Sequence, residues 1–390
     1  MHLVFATSIV PDGTPTSGYE IANAAIIDAF ARAGCRLTVM GFAWQGRREA
    51  VPADAVVLGA LDPRTEAATF MTRFGWLAAA LWHGLTFSSA KMRFVSPRRV
   101  SAALAELEPV DGVIFNSAQF AGAFRDVFAG KPNLYVAHNV EYVSAAQSAA
   151  AAKGPIARFL FRREARLLKR LEGKLCAEAR FVYTLSEEDR PMLGVAGDGR
   201  SAVLPLVAHE PAGAEGPRET VYDAALIGTW SWAPNRIGLD WFLEQVLPHL
   251  PDGFRVAIAG DAPAALASRH PRVSFIGRVP DAVAFVRSGK VVPLVSRAGT
   301  GVQLKTIETF EQGLPSVATS SALRGISHTP DNCVVADDPR DFAAALARAA
   351  EGTPNDLDGR AFHRAQLGAL DRAVLHGLRQ AGFAPQGEAA

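Results

Sequence analysis

Cysteine is scarce. Three residues, Cys35, Cys176 and Cys333, lie far apart among 390, so neither a disulfide framework nor a zinc knuckle is indicated, and each is expected to be a buried thiol. Net charge is nearly absent as well. A formal charge of +1, with 49% apolar and 20% charged residues, argues against a disordered chain or an interaction tail and for a compact fold. Lysine is rare, seven against 33 arginines, and arginine richness of this kind can reflect coding bias, so no nucleic-acid partner is inferred. No run of about 18 uncharged apolar residues occurs. The nearest, Phe74 to Phe87, contains His83 and two glycines; no membrane span is expected. The start, MHLVFATSIVPDG, has no basic region before its apolar run, so a secretory leader is not expected either.

What is present is alternation. A chain of 390 residues exceeds one hydrophobic core, and two domains of roughly 150 to 200 residues are the starting expectation. Strands are expected at 2–7, 36–42, 56–58, 112–115, 134–137 and 181–185, with a helix from Tyr19 to Ala33 and further helical segments between them. That is the pattern of a parallel sheet covered on both faces. The pattern then restarts, with strands at 224–227, 255–259, 273–275, 291–295, 316–319 and 333–336 and helices at 234–247, 262–268, 280–287, 302–312 and 342–350. The boundaries expected are 1–207 for an acceptor-side Rossmann-like domain, a proline- and glycine-rich linker at 208–220, and 221–358 for a second Rossmann-like domain. A last helical segment, 359–390, is expected to cross back onto the first domain. The fold class is α/β with two Rossmann-like domains facing a cleft.

In open α/β sheets ligands gather beyond the carboxyl ends of strands. The first such loop, SIVPDGTPTSGYE, has Gly13 and Gly18 for close backbone approach and Ser8 or Ser17 for a polar contact, but lacks the GxGxxG of a dinucleotide site. The strongest local pattern is SRAGTGVQLKTIETFEQGLPSVAT, a glycine-rich turn entering a helix. Amides around Gly299, Thr300, Gly301 and Val302 suit an anion, and Lys305 adds charge in the first helical turn. Glu308, three residues on, shares a face with Lys305 and can serve sugar or ribose hydroxyls; a plain helix ion pair between the two is the alternative. GxxxxGK is absent, which counts against phosphoryl transfer. After strand 134–137, His138 can contact a sugar hydroxyl or phosphate oxygen and Glu141 can orient it or cap the next helix; a packed histidine is the competing reading. After strand 224–227 comes GTWSWAPNR, where Gly228, Thr229, Ser231, Asn235 and Arg236 offer polar contacts and Pro234 suits the first helical turn. Trp241 reads as core, and Trp230 as core or a stacking surface.

Together, AHNVE, GTWSWAPN, GRVP at 277–280, GTGVQLKTIETFEQGLPSVAT and RGI at 324–326 resemble bacterial group-1 nucleotide-sugar glycosyltransferases of the polysaccharide-synthesis type. The resemblance covers most of the chain and implies the GT-B fold. It implies that Gly18 lies in the first loop of the acceptor domain and that Gly228, Thr229 and Asn235 lie in the donor domain's first loop. It further implies that the backbone of Arg278 and Val279 approaches the nucleobase, that Lys305 meets the diphosphate, and that Glu308 binds ribose; the family's usual basic pair in the donor domain's first loop is not clearly reproduced by TWSWAPNR, and Arg236, Arg297 and Lys305 are the cations able to neutralise phosphate in its place. His138 is carried to an acceptor-side position. Many relatives hold a glutamate eight residues before the equivalent of Glu308; here Thr300 stands there, and the sugar preference does not transfer. The resemblance also implies metal independence, no cofactor beyond the nucleotide-sugar donor, and retention of anomeric configuration.

Paired carboxylates for glycoside hydrolysis are not evident. A sugar-nucleotide epimerase and a non-catalytic sugar-nucleotide-binding protein stay as alternatives. The segment 158–180 carries eight basic and three acidic residues on an amphipathic pattern. It fits either contact with anionic lipid or a lipid-diphosphate acceptor, or packing against the sheet. Phe70, Phe74, Leu77, Leu81 and Leu85 offer a second acceptor-side surface. The expected setting is cytoplasmic, with peripheral contact to the inner face of the membrane as a further option.

Overall fold

Short runs rich in Val, Ile, Leu and Phe, apolar on both faces, build two wholly parallel sheets, as strands covered by helices on either side must. The computed structural model describes residues 1–13, 17–62, 65, 68–107, 109–211, 218–262, 266 and 270–383. The chain divides into unit 1, Met1–Leu204 with Ala369–Ala390, and unit 2, Pro205–Gly368.

Among its described residues unit 1 has seven strands: β1 His2–Ile9, β2 Arg36–Trp44, β3 Val56–Leu61, β4 Gly112–Asn116, β5 Asn133–Ala137, β6 Phe181–Thr184 and β7 Ser201–Val203. Their order is β3-β2-β1-β4-β5-β6-β7, and every pairing is parallel. Register runs Leu3 to Gly112 and Leu134 to Phe181, so Val4, Ala6, Val113, Phe115, Tyr135 and Val182 share one packed layer with Phe120 and Phe124. The edge strand β7, three residues long behind Arg200, is absent from the sequence expectation because so short a run carries no period.

Unit 2 repeats the design with six strands: β8 Tyr222–Ile227, β9 Val256–Ala259, β10 Val273–Gly277, β11 Gly289–Leu294, β12 Ser316–Ala318 and β13 Cys333–Val335, in the order β10-β9-β8-β11-β12-β13, all parallel. Its main core joins Leu226, Leu239, Phe242, Ile258, Val291 and Phe342. Both orders place strands one and four of the unit side by side, the doubly wound arrangement.

Three expectations are corrected. The helix expected at 302–312 spans Leu304–Glu311, because Gly299 and Gly301 adopt φ of 95° and 73° and keep the preceding turn out of the right-handed region. The helix expected at 234–247 is α only over Ala233–Trp241, then continues as a wider turn over Phe242–Val246. Pro248, with no N–H and a ring that crowds the carbonyl four residues back, breaks the regular ladder there. Finally, Cys35 and Cys176 are buried but Cys333, on edge strand β13, is only half-buried. The helix expected at 262–268 lies mostly outside the described residues.

The last helix, Gly359–Gln380, closes each unit with local contacts. In unit 1, Tyr183 donates its hydroxyl to the Val374 carbonyl at 3.0 Å and Arg32 pairs with Asp371 at 2.7 Å; in unit 2, His363 meets Glu311 at 3.0 Å.

Candidate functional site

Where a parallel sheet reverses its direction of winding, the loops leaving neighbouring strands diverge to opposite faces and leave a crevice. In unit 2 that point lies between β8 and β11. Gly238 lets the helix after β8 sit directly on the end of β11: a Cβ there would collide with the Val295 carbonyl oxygen. Across the crevice, a Cβ on Gly299 would stand 3.3 Å from Pro234, so the two loops touch at their bases. Arg324, itself buried, donates to the carbonyls of Ala298 and Gly301, both at 3.2 Å, and so fixes the turn. The amides of Gly299 and Val302 have no acceptor among the described residues. Two alternating left-handed glycines, unclaimed amides and the following helix end make an anion-binding turn.

Lys305 points to the same place. Its Nζ lies 3.5 Å from Asn235 Oδ1 and 5.3 Å from the Trp230 ring centroid, and Asn235 is held in turn by donating to the Thr229 carbonyl at 3.1 Å. Burial pushes the Lys305 ammonium down to about 8, with Glu308 partly opposing the shift. Among the described residues no carboxylate forms an ion pair with Lys305, and a desolvated cation without a partner anion is the expected state of a site that awaits one.

The other cations named from the sequence are already engaged. Arg236 pairs with Asp240 at 2.7 Å, Arg278 with Asp261 at 2.6 Å and Arg297 with Asp337 at 3.4 Å, the last lying 4.8 Å from the Trp241 ring. Val279 packs on the small apolar cluster of Ala225, Ala257 and Phe285. Trp230 is core, 2% exposed, with its indole N–H on the Ala259 carbonyl at 2.8 Å, so it offers no stacking surface. The helix ion pair between Lys305 and Glu308 does not form. Glu308 instead faces His209 at 3.7 Å, and this carboxylate, as acceptor for the ring N–H, raises the imidazole above its ordinary value. Glu311, one turn on and buried, holds that segment by accepting from the amides of Ala208 and His209 at 2.9 Å each.

Unit 1 has its own reversal point, between β1 and β4, and a polar chain runs beneath it. Asn23 donates to the Ile9 carbonyl at 3.3 Å, which leaves its Oδ1 as the acceptor from Asn116 Nδ2 at 2.6 Å. Asn116 Oδ1 must then accept, so His138 Nε2, 2.7 Å away, carries the proton. His138 Nδ1 has no hydrogen-bond partner among the described residues. Desolvation lowers its pKa to about 3, so the ring is a neutral acceptor at Nδ1, placed at 4.9 Å centroid distance from Tyr19. The hydroxyls of Thr7 and Ser8 each reach Tyr19 at 3.0 Å. At the end of β4, Ser117 adopts φ 73°, strained for a residue with a Cβ, and its buried hydroxyl and the Asn139 Oδ1 have no hydrogen-bond partner among the described residues.

Of the polar residues that the sequence names in unit 1, Ser17 has a structural role and Glu141 lacks the one expected of it. Ser17 caps the helix that begins at Gly18, accepting from the Glu20 amide. Glu141 does not cap its helix; Glu172 does so by accepting from the amides of Glu141 and Tyr142 at 2.8 and 3.0 Å. Burial raises Glu141 to about 6 and Glu172 to about 8. Asn23, Asn116, Tyr19 and His209 belong to these sites without having stood out in the sequence. The available signal was an asparagine ending an apolar run, GVIFN, and another in the apolar face of the first helix.

Residues 223–351 match the family described as Glycosyl transferases group 1. The sequence matches no curated protein. Solved structures with the same fold include sucrose-phosphate synthase from Thermosynechococcus elongatus, at 14% identity, TM-score 0.61, covering 98% of this chain and 96% of that one. HepE of Anabaena in complex with UDP and glucose matches at 14% identity and TM-score 0.59, with 98% of each chain covered. A UDP-forming α,α-trehalose-phosphate synthase from Burkholderia xenovorans matches at 15% and 0.56, again with 98% of each chain. The fold is GT-B, two Rossmann-like domains.

Proposed function

We propose that this chain, a glycosyltransferase whose residues 223–351 form a group 1 glycosyl transferase domain, moves a sugar from a nucleotide-sugar donor to an acceptor hydroxyl in bacterial exopolysaccharide or envelope glycan synthesis. The observation that carries this is Lys305, held on Asn235 beside the Gly299–Val302 turn and paired with no carboxylate among the described residues. In the reaction the bond from the anomeric carbon to the phosphate oxygen breaks, a bond to the acceptor oxygen forms, and the acceptor proton passes to the departing diphosphate and on to solvent. The charge that develops is on the departing diphosphate. Unclaimed amides and a half-buried ammonium stabilise that charge more than they stabilise the ground state, which is what lowers a barrier. Glu308 takes the ribose hydroxyls, and the Arg278–Val279 backbone takes the base.

His138, neutral with Nδ1 as an acceptor, receives a hydroxyl of the transferred sugar; it is not charged to donate to phosphate at neutral pH. Thr300, where relatives carry a carboxylate, leaves the sugar selection to other groups. The reading includes retention at the anomeric carbon, no metal ion, and a glycan or lipid-linked acceptor met at the cytoplasmic face of the inner membrane. UDP-glucose is the first donor to try, since HepE is described in complex with it.

Purified protein incubated with UDP-, GDP- and dTDP-sugars, with and without soluble and lipid-linked acceptors, and analysed by mass spectrometry, tests this. Sugar addition that requires acceptor is expected. Isomerised donor without acceptor would instead identify an epimerase, and saturable binding with no turnover a binding protein.

A further inference from the structure

The helix Phe70–Trp82 of unit 1 turns an apolar stripe to solvent. Phe70, Phe74 and Leu81 recur along one side with Met71 and Trp82 next to them, and Phe70, Met71 and Trp82 are 78%, 74% and 87% exposed. Its other face is covered: Ala80 is buried and Trp76 packs edge-on to Phe87 at 6.0 Å. Arg73 is the one charged residue of the helix, and its Nε donates to the Ala68 carbonyl.

A second helix, Pro155–Glu178, extends this surface. Arg163 donates to the carbonyls of Ala80 and Leu85 at 2.8 and 3.2 Å, and Glu164 accepts from the Phe87 amide at 2.9 Å, so the two helices are fixed to each other at this end. One and two turns before Arg163, on the same face, stand Phe159 and Ile156, 60% and 76% exposed. Arg158, Arg162, Arg166, Lys169 and Arg170 are exposed beside them and form no ion pair among the described residues. The acids that would neutralise them are engaged elsewhere: Glu164 holds Phe87, and Glu172 is buried on the amides of Glu141 and Tyr142. Only Glu178, at the far end, is an exposed acid on this helix.

We propose that this surface docks unit 1 on an anionic bilayer, with the aromatic residues at the boundary between headgroups and acyl chains and the arginine row on lipid phosphates. An exposed apolar stripe of this size needs a cover. A second copy in a two-fold pair would set the arginine row against itself, whereas an anionic lipid surface complements both parts. Among the described residues no helix is long and apolar enough to cross a membrane, so the contact is peripheral. The inference deepens the reading of a membrane-borne acceptor and rests on it for its purpose, but docking is measured without donor or acceptor.

The test is co-sedimentation of the full chain with phosphatidylcholine vesicles, with and without about one third phosphatidylglycerol. Binding is expected to be about tenfold tighter to the anionic vesicles and to weaken with salt. Phe74→Gln with Trp82→Gln should lose about tenfold or more on either lipid, and Arg162→Gln with Arg166→Gln should abolish the anionic preference. An unchanged circular dichroism spectrum and thermal unfolding midpoint would show that the variants fold. Equal binding to both vesicle types, vesicle binding by the aromatic variant equal to wild type, or a wild-type dimer dissociated by these same substitutions would overturn the proposal. Transfer to a water-soluble acceptor does not need docking. Intact transfer without vesicle binding therefore sinks only this proposal, and vesicle binding without any transfer sinks only the functional reading.

Discussion

Removing the Lys305 ammonium should stabilise the empty protein while weakening its hold on nucleotide. In the folded chain this group titrates at about 8 against 10.5 for a free lysine, so the folded state binds fewer protons than the unfolded one at neutral pH, and protonation opposes folding. At 1.36 kcal/mol per unit, the penalty at pH 7 is about 3 kcal/mol as an upper bound; it shrinks as pH rises through 8 and falls to about 1.4 kcal/mol at pH 9.5. Lys305→Met keeps the apolar stem against Trp230 and deletes the charge. Urea denaturation should show the variant more stable than wild type by about 1–3 kcal/mol at pH 7, with the gap narrowing by about half at pH 9.5. Saturating UDP should reverse the order at pH 7, because the diphosphate then neutralises the wild-type ammonium. A gap that does not change with pH, or a variant less stable than wild type at both pH values, would refute the claim that the charge is desolvated with no carboxylate partner among the described residues.

Other expectations follow from the same contacts. Nitrogen NMR should find the His138 ring neutral with its proton on Nε2 and no titration between pH 5 and 8; because its folded pKa lies below the unfolded value, stability should decline as pH falls below about 6.5. A ring protonated on Nδ1 would contradict the amide chain from Ile9 through Asn116. Gly238→Ala should cost about 1–3 kcal/mol in denaturation and loosen UDP binding, since the added methyl meets backbone rather than a movable side chain. Glu308→Gln should bring the His209 imidazole back toward its ordinary value in a proton NMR titration. The raised value contributes stability below that ordinary value and loses it as pH rises through the folded one, so the variant should lack that pH dependence.

The alternation of short apolar runs was legible, because strands buried on both faces leave continuous Val, Ile and Leu segments that polar loops interrupt. Helix limits were less so. Nothing in VQLKTIETFEQ marks Leu304 rather than Val302 as the start; the left-handed φ at Gly301 decides it, together with the Gln303 cap conformation. Lys305 and Glu308 were visible from the glycine-rich turn ahead of them, and so was a charge-bearing face. Their separation was not, since the His209 that takes Glu308 lies 99 positions earlier in the chain. For the same reason Asn23 and Asn116 stayed hidden: each sits in an apolar stretch, and only the pairing of β1 with β4 brings them within 2.6 Å. Of the arginines, composition could say only that there were many; the structure shows Arg236, Arg278 and Arg297 engaged with carboxylates and Arg324 with carbonyls.

The most direct measurement is a crystal structure of the protein with UDP bound. The diphosphate oxygens should lie within hydrogen-bond distance of the Gly299 and Val302 amides and of Lys305 Nζ, with Glu308 turned from His209 to the ribose. A nucleotide held at the reversal point of unit 1, or one whose diphosphate leaves Lys305 on Asn235 untouched, would contradict the account.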